Sequence, residues 1–110
     1  MPSRTFVDRA QCSRHTIFPG VDVFTAAGQQ MMLSLAEFEP HAVVEAHSHP
    51  HEQVGMVVAG RATFYVGDEE KLLGPGDMYF IPGGVTHRVV ATEEGLKALD
   101  VFHPIREDYL

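Results

Sequence analysis

The stretch that decides the fold runs His47-Ser48-His49-Pro50-His51-Glu52-Gln53 and on to Gly60; it is answered by Gly76, Pro82, Gly84 and His87 further along. On a strand, side chains at i and i+2 share a face, so His47 and His49 converge on one point if that strand lies against an interior cavity. Pro50 interrupts ladder hydrogen bonding, so the chain is expected to turn there and send Gln53 back in on the adjoining strand. Neighbours on a strand point to opposite faces, which assigns Gln53 rather than Glu52 to the cluster; Glu52 stands as the alternative if the register slips by one. His87 is distant in sequence, on a strand entered through the Gly83-Gly84 turn. Imidazole is a favoured ligand of divalent transition metals. The plain alternative is a histidine-rich exposed loop, and spacing alone does not decide between them. His51 is expected to face solvent or support the turn, and His15, His41 and His103 to lie at the surface.

Outward from this stretch the sequence reads as strand, turn, strand. Val21–Ala26 follows the Pro19-Gly20 turn signal, and Met31–Phe38 has strand length and flanking turn residues despite its helix-forming Met and Leu. Val43–His49 and Gln53–Ala59 follow, the latter ending at Gly60. Ala62–Val66 stops at Gly67-Asp68, a dipeptide of strong turn chemistry. Met78–Ile81, Val85–Val90 and Leu96–Phe102 supply the remaining strands. Many short strands at close spacing predict an all-β sandwich or barrel.

At 110 residues there is room for one domain, 1–110, around one core. A formal charge of −7 without any basic run repels phosphate backbones and argues against a nucleic-acid partner. Cys12 is the only cysteine, so no intrachain disulfide forms. Met1–Arg9 holds no apolar run long enough for a signal peptide, and no later segment is apolar enough to span a bilayer. The expectation is a soluble protein of a reducing compartment, the cytoplasm, with no membrane partner.

The order His47-x-His49-x3-Gln53-x6-Gly60, then Gly76-x5-Pro82-x-Gly84-x2-His87, resembles the two cupin sequence motifs. The family pattern has glutamate where Gln53 stands, glycine where His41 stands and asparagine where Ala91 stands. The resemblance covers about half the chain. It implies a double-stranded β-helix, a jelly-roll barrel, with a metal inside its mouth held by His47, His49, Gln53 and His87, and usually a homodimer. Val54, Met56 and Val58 alternate with Gly55, Val57 and Ala59, so neither face of that strand is plainly wet, which also suits a dimer. Three imidazoles and an amide bring no negative charge, so a bound divalent ion keeps its full +2. The set suits one nickel, zinc, manganese or iron(II) ion per chain and disfavours magnesium or calcium.

Asp100 and Phe102 share one face of the last strand. A carboxylate among Leu96, Ala98, Leu99 and Val101 is costly to bury without a partner, so alternation alone leaves Asp100 either functional or exposed on an edge strand. On tail position alone Arg106 reads as a solvated charge. A narrower resemblance bears on both. The histidine stretch together with the ending Asp100-Val101-Phe102-x-Pro104-x-Arg106-Glu107-Asp108-Tyr109-Leu110 is similar to small KdgF-type cupins of pectin and alginate breakdown, which linearise 4,5-unsaturated monouronates. It implies Asp100 as catalytic acid/base, Arg106 as the cation that binds an anionic sugar, and Phe102 as a shaping wall. Two other functions stand beside it: an iron(II)-dependent dioxygenase, and a non-catalytic sugar- or metal-binding module.

Overall fold

Alternating burial carries most of the chain into strands. In a computed structural model that describes residues 5–110, these are β1 (Ser13–Phe18), β2 (Val21–Ala27), β3 (Met32–Phe38), β4 (Val43–His47), β5 (Glu52–Val66), β6 (Glu69–Leu73), β7 (Met78–Ile81) and β8 (His87–His103). Residues 1–4, part of the stretch read above for a leader, lie outside the described residues. All pairings are antiparallel, in the order β1-β2-β3-β8-β5-β6, with β4 added to β8 and β7 to β5. The result is an all-β jelly-roll barrel. Among the described residues no helix is long and apolar enough to cross a membrane.

Two strand breaks expected from the sequence are absent. Gly60 does not end a strand, and Val85–Val90 is not separate from Leu96–Phe102. β5 and β8 each run through a glycine at positive φ, Gly60 at 75° and Gly95 at 70°, and the register between them shifts at Val57/Ala59 and Gly60/Ala62. A bulge bends a strand without ending its pairing. The two glycines also face each other: a Cβ on Gly60 would overlap the carbonyl of Gly95. Each long strand therefore serves both halves of the barrel. The Glu52–Gly60 half of β5 pairs with β7 and with Leu96–His103, and its Ala62–Val66 half pairs with β6 and with His87–Ala91. Strand β6 is an addition; Glu69, Glu70 and Lys71 hid it, being the charged side chains an edge strand carries.

Side-chain parity then fixes the inside. Met32, Ser34, Ala36 and Phe38 of β3 pair with Phe102, Asp100, Ala98 and Leu96 of β8, with Gln53 and Val57 of β5 and Tyr79 and Ile81 of β7 on the same buried side. The opposite parity builds an apolar outer face in two rows across β3, β8, β5 and β7. These are Leu33-Val101-Val54-Phe80 and Leu35-Leu99-Met56-Met78. Phe80 is 73% and Met78 67% exposed there.

Candidate metal centre and its carboxylate

His47 closes β4 and pairs across to His87, the first residue of β8. His49 does not share their strand, contrary to the strand drawn through it from sequence; it lies in the loop beyond, because β4 ends at His47. The loop still delivers it. His49 and His87 are buried, and one ring nitrogen from each of His47, His49 and His87 falls within 4.8 Å of the others.

Each ring is oriented by a backbone carbonyl two residues away. The Nδ1 of His47 meets Glu45 O at 2.9 Å, that of His49 meets His51 O at 3.0 Å, and that of His87 meets Val85 O at 2.9 Å. A carbonyl only accepts, so each Nδ1 carries the proton and each Nε2 is left with its lone pair. Burial, reinforced by the charges of Arg106 and His87, lowers the pKa of His49 to about 4. Burial also lowers that of His87, so both rings are neutral at neutral pH.

Gln53 completes the group from β5. Its Oε1 stands 3.1 Å from His49 Nε2, while its side chain is also hydrogen-bonded to Asp100. Donation to a carboxylate uses the amide N–H, so Oε1 is the atom left facing His49. Two lone pairs thus point at each other with no proton between them. A cation resolves that conflict, and a set of three neutral imidazoles and one amide oxygen fits a divalent transition ion. Glu52, the alternative ligand, is exposed on the outer face.

Asp100 is neither on an edge nor exposed. It sits on β8 between Ser34 of β3 and Gly55 of β5 and is 6% exposed. Burial raises its pKa to about 6, and hydrogen bonds from Tyr79 and Gln53 oppose the rise. Arg106 is not a solvated tail charge either: its side chain is only 11% exposed. Its guanidinium lies 4.0 Å from the Tyr109 ring centre and 5.2 Å from that of Phe102, and Nη2 donates to Asp108 at 2.9 Å. The tail is tied down by its own backbone, since Tyr109 O accepts from Thr25 Oγ1 at 2.5 Å and meets His15 Nε2 at 3.0 Å. His15 is therefore part of the mouth, not plain surface. His47, Gln53, His87, Asp100, Phe102 and Arg106 all line one inner cavity of about 50 Å³. At the mouth it adjoins an open depression of about 400 Å³, with His47, Arg106 and Tyr109 lining both.

A cupin-domain family model matches residues 34–102. The chain belongs to the cupin family. This cupin is 33% identical to the pectin degradation protein KdgF of Dickeya dadantii, over 73% of this chain and 74% of that one. KdgF from a Halomonas species superposes with a TM-score of 0.87 at 29% identity, covering 98% of this chain and 100% of that one. An RmlC-like cupin from Shewanella frigidimarina gives 0.88 at 30% identity, over 98% and 97%.

The departures from the cupin pattern have local readings. His41 takes φ 64°, the left-handed region that glycine enters freely and histidine only uncommonly. Ala91, where the pattern has asparagine, is buried in β8. Sequence reasoning passed over two residues at Asp100: Tyr79, whose hydroxyl donates to Asp100 Oδ1, and Gly55 between them. The signal was a polar-tipped aromatic on the inward parity of Met78–Ile81, but nothing in the sequence said which strand lay beside it.

Proposed function

We propose that this cupin opens the ring of 4,5-unsaturated monouronates to the linear 5-keto uronate, a redox-neutral isomerisation. The observation that carries the reading is one cavity lined at once by a buried carboxylate, Asp100, a guanidinium, Arg106, and His47, His87 and Gln53 of the imidazole–amide cluster. Kinship with a pectin degradation protein supports the same substrate class.

The substrate is a cyclic enol ether with a hemiacetal at C1. Asp100, as carboxylate, takes the proton of the C1 hydroxyl. The C1–O5 ring bond breaks, its electrons moving to O5 as C1 becomes an aldehyde. The resulting enolate is protonated at C4 by the same carboxyl group, and the C5 ketone forms. A group with its pKa near 6 can both accept and return a proton close to neutrality. Arg106 holds the uronate carboxylate through its planar fork, exchanging Asp108 for it. Phe102, set edge-on to His49 at 5.6 Å, forms a wall of the site. His47, His49, Gln53 and His87 would hold a divalent ion, which would supply Lewis-acid stabilisation of developing oxyanion charge. The inner cavity, at about 50 Å³, is too small to enclose a sugar ring. The sugar ring therefore occupies the wider mouth, with its reacting edge turned inward.

The working unit we propose is a homodimer built on the outer face of Leu33, Val101, Val54 and Phe80 and the row beside it. An apolar patch of that continuity is characteristic of an interface. The function is tested by proton NMR on lyase-generated 4,5-unsaturated galacturonate. Expected is loss of the vinylic C4 proton signal well above the spontaneous rate with wild type, and only the spontaneous rate with Asp100→Ala. Wild-type protein loaded with metal that leaves the rate unchanged would refute the reading.

A further inference from the structure

Asp100 is held by more than its own strand. Its neighbour across β5 is Gly55, and the neighbour of Gly55 on the far side is Tyr79 of β7. The three positions form a row across the sheet, and the middle one has no side chain. Tyr79 reaches over that gap and donates its hydroxyl to Asp100 Oδ1. A Cβ at position 55 would fall inside contact distance of Asp100 Oδ1 and within 2.5 Å of Tyr79 Oη, so a side chain there closes the passage. The ring itself is fixed, 8% exposed and packed on Phe64 with centroids 4.5 Å apart. Burial and the adjacent Asp100 raise the pKa of Tyr79, so its hydroxyl stays protonated and remains a donor.

We propose that Tyr79 is the positioning residue for Asp100, acting through the gap that Gly55 leaves. A carboxylate beside a divalent-cation site is drawn toward the ion, and among the described residues Gln53, which also faces His49, is the other side-chain donor to it. The Tyr79 hydroxyl anchors Oδ1 on the side of the row, and proton transfer falls to Oδ2. It does so without adding charge. Neither Tyr79 nor Gly55 touches the reacting atoms; both act through Asp100.

The activity arm of the test rests on the uronate reading, so a second arm does not. With Tyr79→Phe, which keeps the ring on Phe64, kcat is expected to fall on the order of 10- to 100-fold, as for a small displacement of a reacting group. KM and metal content are expected to stay near wild type, and the protein to remain folded at the assay temperature. Gly55→Ala is expected to give the same kcat loss by inserting a methyl between the pair. In the zinc-loaded protein, proton NMR is expected to show a slowly exchanging hydroxyl resonance in wild type. It is expected to be lost in both Tyr79→Phe and Asp100→Ala. Unchanged kcat in Tyr79→Phe, or a loss of activity explained by lost metal or lost stability, overturns the assignment. If wild type does not turn over the uronate, the function fails on its own and the hydroxyl resonance decides Tyr79: its absence from wild type overturns the positioning role, and its loss in both variants sustains it.

Discussion

Gln53→Glu is the most informative substitution, because it restores the residue of the general cupin pattern. In this chain Gln53 touches two groups, His49 through Oε1 and Asp100 through its amide. Glutamate would keep an oxygen toward the imidazoles but lose the donor to Asp100. A hydrogen bond to a charged group contributes about 1.5–3 kcal/mol, so its loss alone raises the cost of ionised Asp100 by roughly 10- to 100-fold in equilibrium. Two ionised carboxylates about 4 Å apart would add about 4 kcal/mol of repulsion at an effective dielectric of 20, of which metal coordination at position 53 offsets part. Both effects push Asp100 in the direction burial has already taken it, upward from about 6. Expected is tighter metal binding by titration calorimetry, since a carboxylate replaces an amide. Alongside it, kcat on unsaturated galacturonate at neutral pH is expected to drop at least about tenfold, recovering toward higher pH. A fully metal-loaded Gln53→Glu protein with wild-type kcat across the pH range would refute the role given to the amide.

Asp100→Asn should stabilise the metal-free protein in a defined pH window. A folded-state pKa raised from 3.8 to about 6 means that the contribution of Asp100 to stability is complete at low pH and lost as pH rises through 6. That difference corresponds to about 3 kcal/mol. Denaturant unfolding is expected to show the variant more stable by about this amount at pH 8 and equal to wild type near pH 4. Equal stability at both would show that burial does not perturb the carboxyl group. Arg106→Ala should raise KM for the uronate on the order of tenfold or more while changing kcat little, as expected for loss of a charge-assisted carboxylate contact. A kcat effect alone would remove Arg106 from binding. Val54→Glu places a carboxylate amid the two apolar rows, where its burial against a second copy would cost several kcal/mol. Light scattering is expected to give a dimer for wild type and a monomer for this variant; a variant that stays dimeric moves the interface elsewhere.

How much of this was legible in the sequence can be judged from single residues. Strand parity and turn placement, both local properties, put His47 and Gln53 together, whereas His87, distant in sequence, entered the set through the resemblance to the cupin motifs. His49 joins them by a different route than parity suggested, since its ring is aimed by the His51 carbonyl in a loop whose course no periodicity describes. Gly60 read as a stop, and the gap between Val90 and Leu96 that holds Gly95 as a break, because a glycine's φ is free in sequence. Only the crossing of β5 and β8 shows that both are bends. Asp100 was undecidable because edge and centre differ in pairing partners, not in composition. Tyr79 and Gly55 escaped for the same reason: their meaning lies in the register across three strands far apart in the chain.

The most direct measurement is conversion of 4,5-unsaturated galacturonate in deuterated buffer, followed by carbon and proton NMR with an oxygen electrode in the same vessel. Expected is an accelerated, linear 5-keto product carrying deuterium at C4, with no oxygen taken up and the acceleration lost on chelation. Oxygen consumption coupled to turnover would point to a dioxygenase instead, and no acceleration by metal-loaded protein would leave a binding module.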